Sequence, residues 1–168
     1  VVCCAIPVSA DCDAVAEAAA ACGALVFRGS ENDVLDRYPG AAQACEADLV
    51  MRVTSDCPLI DPVACGSLLQ LFKDQGVDYA STNVPRGRPH GLDCEVFSAA
   101  ALARAAGEAK SPDEREHVTP WLRSHPDIRR ATLDGPGGDL SDMRWTLDYP
   151  EDLAFFQALF DLIPPSAG

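Results

Sequence analysis

The sequence predicts a three-layer α/β domain with a mostly parallel, mixed sheet. Segments typical of buried strands alternate with segments typical of helices along the chain, which is the pattern of a sheet covered by helices on both faces. The length of 168 residues suits one domain with one substantial core, and 48% hydrophobic and 23% charged residues are ordinary for a folded protein. We therefore expect residues 1–168 to form a single domain.

Strands are predicted where short apolar runs end at polar or glycine-containing turns. Residues 1–8 are apolar and β-branched without alternation, which predicts a fully buried strand, whereas residues 92–97 alternate. A Gly-Pro-Gly-Gly turn at residues 135–138 separates the last two strands. The predicted strands are residues 1–8, 24–27, 49–54, 77–81, 92–97, 129–133 and 143–147.

Helices are predicted between these strands from their capping residues and composition. Asp11 can cap an alanine-rich helix that stops at Gly23, and Pro62 suits the first turn of another helix. Pro39 and Gly40 are expected to bend or break the second helix. The predicted helices are residues 11–22, 32–46, 62–75, 98–109, 113–123 and 150–160.

Charge and hydropathy exclude several classes of partner. The chain has 13 Lys and Arg against 26 Asp and Glu, a net charge of −13, so we expect no nucleic-acid partner. No uncharged stretch approaches the length of a membrane span, and residues 1–10, for example, are only as long as a strand, so no membrane partner is expected. Neither the basic region nor the cleavage site of a signal peptide is recognisable, which favours the cytoplasm. The eight cysteines form no C-x-x-C pair and are expected to be reduced core thiols rather than disulfides or metal ligands.

Polar residues follow four of the predicted strands. Ligands of open α/β sheets bind beyond the carboxyl ends of the strands, so these residues mark the expected site. Two of the four positions carry an aspartate, which indicates a site for a metal ion and phosphates. The strand-end residues are Arg28-Gly29-Ser30, Thr54-Ser55-Asp56, Thr82-Asn83 and Asp148.

Five blocks of the sequence, in order and spacing, resemble the cytidylyltransferase family of spore-coat polysaccharide biosynthesis. That family is related to the cytidylyltransferases of acylneuraminate and 3-deoxy-manno-octulosonate. The resemblance covers nearly the whole chain and implies the three-layer fold of nucleotide-diphospho-sugar transferases. The blocks are residues 26–38 (VFRGSENDVLDRY), 54–62 (TSDCPLIDP), 89–97 (PHGLDCEVF), 114–120 (EREHVTP) and 144–152 (RWTLDYPED).

The resemblance also implies a segment that these residues do not contain. Members of the family open with a central strand and a Gly- and Arg-rich loop that cradles the triphosphate, whereas Val1 aligns with their second strand. A central gap would leave backbone groups of the neighbouring strands unpaired, so we expect this segment to precede Val1 in the full protein. The alternative is a degenerate relative. Ser55-Asp56 is a smaller departure, because the family more often has Gly-Asp there.

Asp56 and Asp148 are the candidate catalytic and metal-binding residues. Transfer of a nucleotidyl group requires charge neutralisation on phosphate, and Mg²⁺ held by one or two carboxylates supplies it. Both residues follow predicted buried strands, and by resemblance they are the two metal positions. The alternative is that each aspartate only caps a following turn.

Two further groups of residues are candidates for substrate binding. Arg28, Ser30, Asp33 and Arg37 are candidates for nucleotide recognition, the alternative being a helix cap with solvated charges. Asp93 and Glu95, two apart on a predicted strand, are candidates for binding sugar hydroxyls, the alternative being the surface face of an edge strand. Asn83, at a strand end, and His117 are two further sugar-side candidates, the alternative for His117 being that it only completes a polar network.

The implied activity is transfer of CMP from CTP to a sugar or sugar acid, with release of pyrophosphate and Mg²⁺ as cofactor. A glycosyltransferase is a second hypothesis, but such enzymes usually carry Asp-x-Asp at a strand end and only Asp56 stands here. A third hypothesis is a binding domain without catalysis. The sugar is not defined by the sequence, and a homodimer is left open.

Overall fold

The computed structural model describes residues 1–136 and 140–163, and it confirms the α/β fold. Strands and helices alternate along most of the chain, and a single 3₁₀ turn at Ala10–Cys12 precedes the first helix. The strands are β1 (Cys3–Pro7), β2 (Leu25–Gly29), β3 (Leu49–Arg52), β4 (Tyr79–Ser81), β5 (Glu95–Ser98) and β6 (Arg130–Thr132). The helices are α1 (Asp13–Ala21), α2 (Val34–Ala44), α3 (Pro62–Gln75), α4 (Ala99–Glu108), α5 (Pro112–His117), α6 (Pro120–Ser124) and α7 (Pro150–Leu162).

The described strands form two sheets. β1 pairs with β2 in parallel, while the second sheet has the order β3-β5-β4-β6. In that sheet β5 is antiparallel to both β3 and β4, and β6 is parallel to β4. The described strands therefore show the mixed pairing expected of this fold, parallel for β1–β2 and β4–β6 and antiparallel around β5.

The prediction of a strand at residues 143–147 is wrong. This segment makes a single isolated bridge, between Arg144 and His90. The main-chain nitrogen of His90 donates to the main-chain oxygen of Met143, and its main-chain oxygen accepts from the nitrogen of Trp145. The ladder does not continue, because the main-chain nitrogen of Leu147 donates to Asp56 instead. Residues 137 and 138 of the predicted Gly-Pro-Gly-Gly turn lie outside the described residues.

A cavity of about 710 Å³ separates the two sheets. It is lined by residues of β1 on one side and of β3 on the other, so the outer edges of both strands face it.

The prediction that residues 1–8 are fully buried is wrong, because Val1 is 98% exposed and Val2 is 74% exposed. The further central strand implied by the family resemblance would belong beside β1, and it stays a prediction.

Alternating side chains of β4 and β5 divide the core into two layers. Tyr79 and Phe97 point to one face, where they pack with α2, α4 and α6. Ala80 and Val96 point to the other face, where they pack against Leu68 and its neighbours on α3. Burial of one such large apolar side chain contributes roughly 1.5–3 kcal/mol. Helices thus cover both faces of the four-stranded sheet, which gives the three predicted layers.

Proline and glycine decide where two helices end or continue. The predicted helix at residues 113–123 is two helices, because Val118 adopts φ 70° and Pro120 starts α6 anew. Helix α2 instead continues through Pro39. Gly40 is required there, since a Cβ atom would lie 2.4 Å from the ring of Phe27 on β2.

All eight cysteines are free thiols, but only Cys57 and Cys94 are buried. The expectation of core thiols is therefore wrong for most of the cysteines. Strand β1 carries two cysteines and helix α1 is flanked by two more, and these elements lie at the surface or beside the cavity. Among the described residues, no helix combines the length and the apolar character needed to cross a membrane.

Candidate functional site

The strand directions bring the predicted site residues to one edge of the four-stranded sheet. β3, β4 and β6 run in one direction and β5 runs in the other, so the start of β5 meets the ends of its neighbours. Glu95 is aligned with both Arg52 and Ser81. The loop after β3, the loop after β4 and the loop before β5 therefore adjoin. They carry Asp56, Asn83 and Asp93, respectively.

Asp56 and the segment that carries Asp148 are joined through the main chain. The carbonyl oxygen of Asp56 accepts a hydrogen bond of 2.8 Å from the main-chain nitrogen of Leu147. Asp148 is the next residue, so the two candidate metal aspartates stand on adjoining segments although 92 positions separate them in the sequence. The structure thus brings the two segments together without a strand at residues 143–147.

Asp148 is held by a polar cluster at the start of α7. Its Oδ2 atom accepts hydrogen bonds from Arg144 Nη1 at 3.0 Å and from Thr146 Oγ1 at 2.5 Å. Arg144 also pairs with Asp152, whose carboxylate accepts from the main-chain nitrogen of Asp148. These hydrogen bonds, above all the one from Arg144, hold the pKa of Asp152 well below its usual range.

Asp93 lies in the loop before β5, not on a strand as predicted. Its carboxylate pairs with Arg86 at 3.1 Å and lies 3.5 Å from His90 Nε2. Cys57 stands between Asp93 and Asp56, and its sulfur is 3.8 Å from Asp56 Oδ1. Burial raises the pKa of the Cys57 thiol, and the two carboxylates raise it further, so the thiol stays protonated.

Gly91 fixes the approach of this loop to the Asp148 segment. It adopts φ +105°, and a Cβ atom at this position would lie 2.4 Å from the carbonyl oxygen of Trp145. A residue with a side chain would therefore push the two segments apart. The Gly in the block PHGLDCEVF thus has a geometric role in assembling the site.

Asn83 offers an unused acceptor at the same edge. Its Oδ1 atom is buried and has no hydrogen-bond partner among the described residues. Most buried polar atoms in proteins are paired, so an unpaired one at a sheet edge is a candidate contact for a bound molecule. Asn83 remains a prediction for the sugar side.

Glu95 lies in the core, with an exposed fraction of 2%. Its carboxylate accepts hydrogen bonds from Tyr79, Arg52 and Arg123, at 2.5–2.6 Å. Burial acts to raise its pKa, but the charges of Arg52 and Arg123 outweigh this and hold it below the usual value. Glu95 does not share the environment of Asp93, and its contacts favour support of the sheet over direct binding of sugar.

Three of the four nucleotide-side candidates organise the turn between β2 and α2. Ser30 Oγ accepts from the main-chain nitrogen of Asp33, and Asp33 in turn caps α2 by accepting from Asp36. Asp33 also forms a two-pronged pair with Arg115 of α5. Arg37 Nη1 donates to the carbonyl oxygen of Ser30 at 3.0 Å.

Arg28 and Arg37 point to different places. The side chain of Arg28 points away from the turn and donates to the carbonyl oxygen of Ser9 and the carboxylate of Asp13. Arg37 is only 9% exposed and lines the cavity, where its Nε atom has no partner among the described residues. Gly29 makes room for Arg37, because a Cβ atom there would lie 2.9 Å from Arg37 Cγ. Of the four candidates, Arg37 therefore has the strongest geometry for a ligand.

His117 is exposed at the end of α5 and lies 3.6 Å from Asp113 of the same helix. Helix α5 packs on α2 and α6, so its main neighbours belong to the Asp33 region. The contacts of the described residues do not bring His117 to Asp56, Asp93 or Asp148. Its assignment to the sugar side remains a prediction.

The donor set suits a small divalent cation. Mg²⁺ prefers oxygen ligands and is commonly bound through one or two carboxylates together with substrate phosphates. Asp56 and Asp148 supply two such carboxylates on adjoining segments. In the described part of the chain, no three His, Cys, Asp or Glu side chains form a metal site by themselves. The residues thus fit a metal that shares its coordination with a phosphate.

Sequence comparison identifies the family. The family model described as cytidylyltransferase matches residues 4–157. The chain belongs to the cytidylyltransferase family. The resemblance stated from the five blocks is confirmed.

Two curated relatives of this cytidylyltransferase-family chain are each 34% identical to it. One is an uncharacterized protein of Methanocaldococcus jannaschii, aligned over 156 residues, which are 90% of this chain and 63% of the relative. The other is the spore coat polysaccharide biosynthesis protein SpsF of Bacillus subtilis, aligned over 82% of this chain and 58% of the relative. The chain thus spans about three fifths of the length of these relatives.

Solved structures of this family and fold superpose on the chain. A cytidylyltransferase from Leptospira borgpetersenii serovar Hardjo-bovis has a TM-score of 0.87 at 29% identity, covering 94% of this chain and 67% of the other. CMP:2-keto-3-deoxy-manno-octonic acid synthetase, solved in complex with CTP, has a TM-score of 0.62 at 16% identity, covering 89% of this chain and 78% of the other. The second likeness shows a common fold.

Sequence reasoning missed the residues that hold the predicted ones in place. Arg144 and Asp152 lie in the block RWTLDYPED, and Arg52 and Arg123 flank Glu95 from distant parts of the chain. Asp152 could have been found, because an acidic residue two positions after Pro150 is typical of the first turn of a helix. Arg52 and Arg123 give no such local signal, since only the sheet register and the packing of α6 bring them to Glu95.

Proposed function

We propose that this chain carries the transfer site of a Mg²⁺-dependent cytidylyltransferase, which moves CMP from CTP to a sugar or sugar acid. The observation that carries the proposal is the hydrogen bond between Asp56 and Leu147. It joins the two segments that carry Asp56 and Asp148, at the edge of the sheet where α/β proteins bind ligands, and so supports these two carboxylates as a pair. Membership of the cytidylyltransferase family supports CTP as the nucleotide.

In this reaction a hydroxyl oxygen of the sugar forms a bond to the α-phosphorus of CTP. The bond between that phosphorus and the oxygen bridging to the β-phosphorus breaks, pyrophosphate leaves, and the hydroxyl proton passes to solvent. A bound Mg²⁺ would neutralise the charge on the phosphates. Asp56 and Asp148 would hold the metal, and the remaining site residues would align the reactants.

The arrangement of the other residues favours separate sides for nucleotide and sugar. Arg37, with an unpaired Nε on the cavity wall, is the best-placed cation for the nucleotide. Asp93 and Asn83 lie in the loops beside Asp56 and are the best-placed acceptors for sugar hydroxyls. The name of SpsF links one relative to spore coat polysaccharide, so a unit of a surface polysaccharide is the proposed kind of sugar. A cytoplasmic location accords with the use of CTP.

The test is pyrophosphate release by the protein in its full natural length, with Mg²⁺, a panel of sugar acids and each of CTP, UTP, ATP and GTP. Turnover with CTP is the expected result. Turnover only with a purine nucleotide would contradict the proposal.

Asp93→Asn tests the sugar side of the proposal. A hydrogen bond to a charged group is worth roughly 1.5–3 kcal/mol, so the KM for the sugar should rise about ten-fold or more while the KM for CTP stays unchanged. Asp61→Asn is the control, because the side chain of Asp61 accepts from the main-chain nitrogen of Val63 and so caps α3. An equal rise of both KM values would move Asp93 to the nucleotide side.

A further inference from the structure

Asp148 is restrained on one side only. Its Oδ2 atom accepts from Arg144 and from Thr146, whose side chain is almost fully buried. None of the described residues donates a hydrogen bond to its Oδ1 atom. One carboxylate oxygen is thus fixed by two donors, and the other is left open at the surface, where Asp148 is 44% exposed.

Arg144 is itself fixed by Asp152. Two hydrogen bonds join them, from Nη2 to Oδ1 at 2.5 Å and from Nη1 to Oδ2 at 2.9 Å. The guanidinium also lies over the ring of Tyr149, 5.6 Å from its centroid. A two-pronged pair with a stacked ring leaves the guanidinium little rotational freedom.

Asp152 fixes the backbone of the same segment. Its Oδ2 atom accepts from the main-chain nitrogens of Asp148 and Tyr149, each at 3.0 Å. Its side chain is only 15% exposed, so water competes weakly for these contacts. Asp152 therefore holds both the peptide of Asp148 and the cation that binds the Asp148 side chain.

We propose that Arg144, anchored by Asp152, is a positioning residue that orients the Asp148 carboxylate so that Oδ1 faces the metal. This inference rests on the proposed function. Arg144 binds Oδ2 of Asp148, the oxygen opposite the one proposed to face the metal, so it does not occupy the metal position. Its positive charge is balanced by Asp152. Partners of metal-binding carboxylates typically change metal affinity or activity by about 10–100-fold when removed.

The test is direct Mn²⁺ binding, followed by electron paramagnetic resonance, together with the Mg²⁺ dependence of pyrophosphate release, in the full-length protein. Arg144→Gln should raise the Mn²⁺ dissociation constant and the Mg²⁺ concentration for half-maximal activity by about ten-fold. Activity should recover at high Mg²⁺. Arg144→Lys, which keeps the charge but loses the fork, should lie between wild type and Arg144→Gln.

Arg129→Gln is the matched control, because Arg129 forms an equally two-pronged pair with Asp78 at a distant surface position. Its metal constants should equal those of wild type. A lower melting temperature for Arg144→Gln with unchanged metal constants would overturn the inference and indicate a structural role. If Asp148→Asn weakens Mn²⁺ binding and Arg144→Gln does not, this inference fails and the proposed function stands. If neither variant changes Mn²⁺ binding, both fail.

Discussion

The hydroxyl of Tyr79 donates a hydrogen bond of 2.5 Å to Glu95 Oε1 between two neighbouring strands of the core. Arg52 from β3 and Arg123 from α6 bind the same carboxylate. One buried anion thus joins β3, β4, β5 and α6. Removing the anion would leave two arginines close together without a counter-charge.

Glu95→Gln is therefore expected to destabilise the fold by about 3 kcal/mol, the usual cost of removing one partner of a buried ion pair. Urea unfolding of the 168-residue chain measures this. Glu108→Gln is the control, because Glu108 forms an exposed pair on α4 and should cost little. Unchanged stability together with a loss of sugar affinity would return Glu95 to the sugar side.

The pair of Asp33 and Arg115 predicts a pH dependence of stability. Partial burial acts to raise the pKa of Asp33, but hydrogen bonds from Arg115 and from the main chain of Asp36 lower it below the usual value. Since the folded pKa lies below the unfolded one, the pair stabilises the protein above about pH 4 and loses its effect as pH falls through the folded pKa.

Arg115→Gln should accordingly cost more stability at pH 7 than at pH 3, as measured by urea unfolding at the two pH values. The bond from Arg115 to the carbonyl oxygen of Ala106 contributes at both. Arg130→Gln is the control, since Arg130 donates to the main-chain oxygens of Leu122 and His125. Its cost should be the same at both pH values. A cost of Arg115→Gln that does not depend on pH would contradict the assignment.

Gly91→Ala should destabilise the site region by about 1–3 kcal/mol, because φ +105° is strained for alanine and its Cβ would collide with Trp145. Gly66→Ala is the matched control. Gly66 lies inside α3 with open space around it, so alanine should stabilise the helix by up to about 1 kcal/mol. Thermal unfolding of both variants distinguishes them. Equal changes in melting temperature for the two variants would contradict the close approach of Gly91 to Trp145.

Asp56→Asn and Asp148→Asn should each abolish pyrophosphate release in the full-length protein while changing the unfolding free energy little. Neither carboxylate is part of the core, and the joining bond uses the main-chain oxygen of Asp56, which asparagine retains. Asp74→Asn, on the exposed surface of α3, is the control. Full activity in either site variant would exclude that residue as a metal ligand.

Much of the fold follows from local patterns, and the core of the site follows from the resemblance. The helix at Pro62–Gln75 has the predicted bounds, because Asp61 caps it and Gly76 ends it in the left-handed conformation. The segments that carry Asp56 and Asp148 adjoin, and the pairing of their carboxylates on one metal stays a prediction. The pairing of strands was not predictable, because direction and register depend on long-range contacts. For the same reason Glu95 was expected on the same side as Asp93, although Asp93 lies in the loop before β5 and Glu95 lies in the core.

The separation of the two sheets has a consequence for how the chain opens. β1 and β2 share no strand pairing with β3–β6 in the described structure, and α2 packs against both parts. Helix α1 contributes no buried residue that would tie it to the larger layer. Amide protons of β1 and β2 should therefore exchange with deuterium through partial openings that leave β4 and β5 protected. We therefore expect residues 1–29 to open as a unit before the four-stranded sheet does.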